Sequence, residues 1–515
     1  MKNKGIIAAG HAETAKAGAE ILNMGGNAYD SVVGAFIASF VCEPTYISAG
    51  GGGFMLARNS SGKAVLFDFF AQTPLQKRPE NEIDFRKVTL HFGDNTQDFH
   101  IGMASMVVPG NIAGIFHIHK QLGRLPFSEV VAPALALAKK GVLISPFLHY
   151  TMQLLHPILT ASETGRSIFT HSDGTLKKVG EPILIPHLDD TLFALSKEGA
   201  RLFYEGEIGQ QIVQDCLSKG GYLTTQDFSS YRVIERIPLK TEYRGHTIFT
   251  NPPPSSGGSL IAFALQLLQT LNVQHKFKPG SNEYLRVLSD VFSLTNLARK
   301  HEFDPNLYHP EVISKLLNEQ TIAKYAEPIS SRLGNTTHIS VADSEGNTAA
   351  LTHSSGAGSD YFVPGTGMML NNMLGEADLN PHGFHRWHNN LRLSSMMSPT
   401  LLVSQEGNQT ILGSSGSSRI RSALVQVVSL MLDFGLTLQE AVNHPRIHLE
   451  GHQLNIEYGF LPEEISKLTL AKGQHKTEWQ SQNMYFGGVN AVSRNIQGHF
   501  SSAADERRSG AVVLI

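Results

Sequence analysis

Cysteine is almost absent. Cys42 and Cys216 are the two in 515 residues. That argues against a disulfide scaffold, and neither stands in a metal-ligand spacing, so both are expected as buried apolar residues. An excess of one charge is also lacking. Forty-two Lys and Arg against 45 Asp and Glu leave a net charge of −3. With no basic stripe, nucleic acid and anionic membrane surfaces are poor partners. No window of about 20 uninterrupted apolar residues occurs, so no membrane span is expected. The first residues, Met1 to His11, break their apolar run at Gly10 and His11 and lack a secretory h-region, which gives a cytoplasmic location as the expectation. Internal repeats and low-complexity tracts are missing. The glycine run Gly50 to Gly53 lacks the Lys-Ser/Thr of a phosphate-binding loop and the strand-before, helix-after setting of a dinucleotide site. Close backbone packing is expected there, and no cofactor or metal.

What remains is the composition of a globular enzyme, 41% hydrophobic, 17% charged and rich in glycine. Length alone suggests about three domains, a weak prior. Apolar spacing predicts helices over 13–24, 29–42, 112–122, 127–139, 188–197, 260–271 and 422–432, and strands over 54–58 and 64–69. The middle of the chain reads as mostly helical. Pro252-Pro253-Pro254 followed by Ser255-Ser256-Gly257-Gly258 reads as a scaffold turn. Residues 303–334 are polar and broken and are expected to be exposed.

One stretch has a more specific pattern. Thr336 to Asp343 and Asn347 to Ser354 are extended runs around the turn cluster Ser344-Glu345-Gly346, the signature of a β-hairpin. A turn centred on Glu345 sets Thr336 opposite Ser354, with cross-strand Cβ atoms roughly 4.5–5.5 Å apart. Two hydroxyls would then face each other at the open end. On spacing alone they are ordinary strand residues.

Further motifs follow in order: Asn335-Thr336-Thr337-His338-Ile339-Ser340-Val341, Asp343, Gly346-Asn347, Gly367-Met368-Met369-Leu370-Asn371-Asn372, Ser394-Ser395-Met396 and Gly413-Ser414-Ser415-Gly416-Ser417-Ser418. The resemblance they carry, over nearly the whole chain, is to the γ-glutamyltranspeptidase family. It implies an N-terminal-nucleophile hydrolase with a four-layer αββα sandwich. It also implies a precursor that cuts itself at Asn335–Thr336 into a large subunit, 1–335, and a catalytic small subunit, 336–515, held as a heterodimer. Thr336 becomes the nucleophile. Its freed α-amine, with a reference pKa of roughly 7.7–8.0, can act as general base. Ser354 matches the second hydroxyl that holds the nucleophile, and the backbone N–H groups of Gly416 and Ser417 match the oxyanion hole. The family has Gly at the second of these positions. Ser is harmless there only at ordinary φ.

The family's γ-glutamyl contacts are only partly present. Ser394 and Ser395 match its carboxylate-binding pair. Its carboxylate-binding Arg matches Phe70, its Asn matches Gly356, and its amide or acidic residue matches Met373. Its amine-binding Asp matches Glu376, which keeps the charge on a longer arm. Arg392 is a candidate to replace the missing guanidinium. The implied activity is that of a γ-glutamyltransferase or glutathione hydrolase acting on a small-molecule amide. The alternatives are an amidohydrolase for a non-glutamyl acyl group, of cephalosporin acylase or oxamate amidohydrolase type, and a binding protein that never cleaves. His382, His385 and His388 would suit zinc on a helix, but Pro381, Gly383 and Asn389-Asn390 make this segment a loop. His338 and His353 are read as strand residues.

Overall fold

The computed structural model describes residues 3–92, 95–324, 336–380 and 382–515. Two antiparallel sheets dominate. The first runs, in spatial order, Ala511–Leu514, Gly5–Ala9, Thr337–Asp343, Thr348–Ser354, Gly52–Arg58, Ala64–Phe69 and Ile234–Arg236. The second runs Phe500–Ala503, Gly488–Arg494, Gln409–Ser415, Thr400–Val403, His246–Thr250 and Leu239–Tyr243.

Alternation along the strands of the first sheet divides the interior in two, because successive side chains point to opposite faces. Ile7, Ala9, Met55, Ala57, Ile339, Val341, Ala349 and Leu351 join one core with the helices Ala12–Asn23 and Ala28–Cys42. Ile6, Ala8, Phe54, Leu56, Ala342 and Ala350 join another. That second core also takes Leu401, Leu402, Ile411, Leu412, Val489 and Ala491 from the second sheet, and the helices Ser256–Leu271, Asn282–Ala298 and Arg419–Leu432. Every residue of Ala28–Cys42 is buried, and Asn27 and Asp30 close its N-terminus with a reciprocal capping box.

The hairpin sits at the centre of the first sheet with the expected register. Thr337 pairs with His353 and Ala342 with Thr348, while Asp343 N–H bonds to the Asn347 carbonyl. Asp343 and Asn347 fix the turn: the Asp343 carboxylate accepts from the N–H groups of Glu345 and Asn347 and from the Asn347 side chain. It also accepts from Ala28 N–H at 3.0 Å, which ties the turn to the buried helix. Gly346 takes φ +94°, where a Cβ would be strained.

The glycine run packs as expected. Gly52 and Gly53 pair with Ser354 and His353, and a Cβ on Gly53 would lie 2.6 Å from the His353 Cβ. Both cysteines are buried. Five of the expected helices appear, at Ala12–Asn23, Ala28–Cys42, Asn111–Leu122, Phe127–Lys140 and Leu188–Glu198. Those expected from 260 and 422 begin earlier, at Ser256 and Arg419. At Ser256 the cause is tertiary, since the Ser256 and Gly257 N–H groups both donate to the Ser395 carbonyl.

One reading holds with an addition, and one needs correction. The mostly helical middle also contains the hairpin Arg86–Phe92/Asn95–Ile101 and two strands of the second sheet. Those two are five residues each, too short for alternation to be decisive. Nor is the segment after residue 303 simply exposed: Phe303, Val312 and Leu316 are buried in the second core. The expectation for residues 325–334 lies outside the described residues. Among those described, no helix is long and apolar enough to cross a membrane.

Candidate active site

Thr336 stands one residue before its strand, on the register line that ends at Ser354, and is 5% exposed. Asn335, the expected cleavage partner, lies outside the described residues. The Ser354 hydroxyl accepts from Gly356 N–H at 2.9 Å. His338 and His353 are used in packing. The His338 ring bonds to the hydroxyls of Thr352 and Ser340 between the sheets. His353 meets Ser39 at 3.2 Å and packs edge-on to Phe36. Burial pushes both down to about 3, so both are neutral at ordinary pH.

A solvent-open cleft of about 580 Å³ brings together Thr336, Ser354, Gly356, Met373, Glu376, Ser394, Ser395, Ser417 and Phe70. Gly416 adjoins it through Ser417, in the loop between the strand Gln409–Ser415 and the helix Arg419–Leu432. That loop is strained. Gly416 has φ +111° and Ser417 φ +50°, a left-handed position that costs a non-glycine residue roughly 1–2 kcal/mol. The Ser417 hydroxyl donates to Asp378, which offsets part of that cost. In the sequence Asp378 stands out only as a carboxylate near the His382, His385 and His388 run, and nothing there ties it to Ser417. Burial pushes its carboxyl up to about 6, against the Ser417 hydrogen bond.

The recognition rim departs from expectation at three points. Glu376 does not simply keep a charge. Burial, then the neighbouring Asp378, pushes it up to about 8, and its Oε1 is buried without a hydrogen-bond partner. Gly356 has φ +68°, and a Cβ there would meet Glu376 Oε1 at 2.5 Å, so a larger residue would displace that carboxyl. Arg392 does not reach the cleft. Its guanidinium is committed to the Phe70 carbonyl, the Tyr231 hydroxyl, the Arg232 carbonyl and Asp68. Phe70 itself is buried and stacks on Phe54. Met373 is buried and donates its N–H to Asn371.

Three further contributors have no local sequence signal. Arg299, at the end of the helix Asn282–Ala298, lines the cleft. Ser255 and Ser256, read as a scaffold turn, clamp the Ser395 carbonyl through both hydroxyls and the Ser256 N–H. They thereby position the Ser394–Ser395 pair. Glu43, at the end of the first core's buried helix, accepts from Thr337, Thr14 and Tyr46, and burial raises it to about 7. Each signal is a contact between residues distant in the chain.

The segment 382–390 is a loop, with His382 and His388 facing a second, larger pocket of about 1130 Å³. His385 instead packs on Phe85 and bonds to the Tyr222 hydroxyl. Among the described residues, no three His, Cys, Asp or Glu side chains are grouped to hold a metal.

A family model described as Gamma-glutamyltranspeptidase matches residues 14–515. Glutathione hydrolase proenzyme of Escherichia coli (strain K12) is 28% identical, over 98% of this chain and 90% of its own. Acylase ACY 1 proenzyme of Pseudomonas sp. (strain V22) is also 28% identical, over 100% of this chain and 94% of its own. The crystal structure of cephalosporin acylase from Bacillus halodurans superposes with a TM-score of 0.83 at 22% identity, covering 99% of this chain and 96% of that one, a likeness of fold.

Proposed function

The chain belongs to the gamma-glutamyltranspeptidase family, and from that premise we propose that it is a self-processing threonine amidohydrolase. The Thr336 hydroxyl attacks the Asn335 carbonyl, the peptide shifts from N to O, and hydrolysis of the ester frees residues 336–515. The freed α-amine then takes the proton from the Thr336 hydroxyl as it attacks an amide substrate. The Gly416 and Ser417 N–H groups hold the oxyanion, where one donor is worth roughly 2.7–4 kcal/mol. Ser354 orients the nucleophile, and water or an amine resolves the acyl-enzyme.

The observation that carries this reading is the convergence of Thr336, Ser354, Ser394, Ser395 and Ser417 on one cleft from segments far apart in the chain. The proenzyme names of the relatives support self-processing. The sheet supports a stable heterodimer of 1–335 and 336–515, since both strands of the hairpin pair with strands of the large fragment, Gly5–Ala9 and Gly52–Arg58. The two cores, each between a sheet and its helices or between sheets, are consistent with the four-layer helix–sheet–sheet–helix sandwich.

For the acyl donor, a γ-glutamyl amide is the first reading, carried by Ser394, Ser395 and Glu376. A bulkier, non-glutamyl amide is the second. It is favoured by Phe70, Gly356 and Met373, and by the adjoining pocket, which shares Leu379 and Ser394 with the cleft and is lined by Trp387, Leu391 and Leu393.

The test is the denatured intact mass of the protein beside Thr336→Ala. Two fragments meeting at 335/336, with the variant uncut, are expected. Turnover in the variant should fall by on the order of 10⁴-fold or more. An uncut wild type without amidase activity would overturn the proposal in favour of a binding protein. A γ-glutamyl anilide compared with non-glutamyl anilides then separates the two donor classes.

A further inference from the structure

We infer that Arg508 is a positioning residue for the amide chemistry, a buried positive charge packed against the loop read as the oxyanion hole. This rests on the reading of the cleft as an amidase site. Arg508 does not line that cleft, and no step proposed above uses it.

Two glycines fix its place. Gly488 pairs with Ser415, and a Cβ on Gly488 would lie 2.8 Å from the Arg508 Cδ, so the stem packs on the strand beside the loop. A Cβ on Gly416 would lie 3.3 Å from Arg508 Nη2, so the guanidinium abuts the Gly416 backbone. Nε and Nη2 both donate to the Met484 carbonyl, at 3.2 and 3.0 Å. Nη1 is buried with no hydrogen-bond partner.

The charge has no counter-ion at contact. Among the described residues no carboxylate forms an ion pair with Arg508. Asp505, the acid that faces it, is taken by Arg446 and Arg507. Arg419 also faces it, as a second cation stacked on Tyr485. The other two neighbours are phenols, Tyr150 and Tyr46, and the Tyr46 hydroxyl donates to Glu43 at 3.5 Å. Burial lowers Arg508 to about 10, so it keeps its proton at neutral pH.

A well-packed apolar side chain would be cheaper in such a place, because a buried charge loses its hydration. The same burial leaves the charge poorly screened. Attack by Thr336 would put a negative charge on the substrate oxygen beside Gly416 and Ser417. A fixed cation behind that loop favours this state over the neutral ground state, so Arg508 should act on kcat more than on KM.

Arg508→Met removes the charge at similar length, and Arg508→Lys keeps it. With an anilide that the wild type turns over, Arg508→Met should lower kcat roughly tenfold or more, with KM within about threefold. Arg508→Lys should recover most of that loss. Butylboronic acid reads the oxyanion position without turnover. Thr336 Oγ adds to the trigonal boron, its proton passes to the α-amine, and the boron becomes a four-coordinate anion. Boron NMR of the cut protein follows the adduct, whose affinity should fall with kcat in Arg508→Met and recover in Arg508→Lys. Thermal unfolding and intact mass report fold and cutting. If Arg508→Met is uncut, Arg508→Lys decides: cut and near wild type in kcat and boronate affinity supports the inference, and uncut or inactive overturns it. Equal values in wild type and Arg508→Met would also overturn it. So would equal losses in both variants, which would mark a purely structural role, or a wild type that holds no boronate. If boronate affinity follows the charge of Arg508 yet no anilide is turned over, the inference stands and the amidase reading fails.

Discussion

The hairpin and the recognition rim are built on different principles. Around Thr336 and Ser354 the positions are set by backbone: a register from Thr337–His353 to Ala342–Thr348, a turn closed by Asp343, and a flanking strand whose glycines allow close approach. Around Glu376, Ser394 and Arg299 they are set by side-chain contacts, such as the Ser255 and Ser256 hydroxyls on the Ser395 carbonyl and Asp304 on Arg299. Changes to a ladder propagate through every pair, whereas changes to a rim act one contact at a time. A backbone ladder can therefore stay fixed while the side chains around it vary, and here the cleft is lined by Phe70 on one side and by a cation, Arg299, on another.

The comparison can be broken most severely at the glycine run. A Cβ on Gly51 would strike the Ser354 carbonyl, a backbone atom that cannot move without shifting the strand. Gly51→Val should destabilise the protein by about 3 kcal/mol, near the upper end for overpacking, and abolish processing. Thermal unfolding and intact mass check both. A loss of activity with unchanged Tm and normal cutting would show that the hairpin is less rigid than argued.

The rim should show itself through pH. Glu376 is raised to about 8, Glu43 to about 7 and Asp378 to about 6, each chiefly by burial. A carboxyl raised in the folded state binds its proton more tightly there than when unfolded. Its contribution is fully present below the ordinary carboxyl range and is lost as pH rises through the folded value. Stability should therefore decline between about pH 4.5 and 8, by up to about 1.4 kcal/mol per pH unit for each of these groups that is still protonated only in the folded state. Glu376→Gln should abolish the decline between about pH 7 and 8 and make it shallower between about pH 4.5 and 7. Urea unfolding midpoints across that range measure it, and an unchanged slope in the variant would contradict the burial argument.

A smaller effect joins the two regions at Ser417. Ser417→Ala keeps the left-handed backbone and loses the Asp378 contact, and should cost about 1 kcal/mol. It should also raise Asp378 further, so that the pH profile of kcat/KM shifts upward if Asp378 titrates in it. Ser417→Gly relieves the backbone strain while losing the same contact, and should come out near wild type in stability. Alanine as stable as glycine would mean that the left-handed φ carries little strain.

Much of the hairpin that carries Thr336 and Ser354 was legible from residue order. Period-two alternation, the Ser344-Glu345-Gly346 turn and the glycine run each act over a few residues, so spacing determines them, and the register that sets Thr336 against Ser354 follows by counting. The helices over 12–42 were legible for the same reason, from apolar spacing and a largely apolar run over 29–42. Tertiary structure alone decided the rest. Whether Glu376 holds a proton depends on how completely it is buried and on Asp378 beside it. Whether Ser417 is strained depends on how its loop joins strand to helix. That Arg299 faces the cleft while Arg392 is bound to Asp68 and Tyr231 depends on segments brought together across the second core. Burial, electrostatic coupling and long-range hydrogen bonds arise between residues far apart in the chain, and no local pattern encodes them.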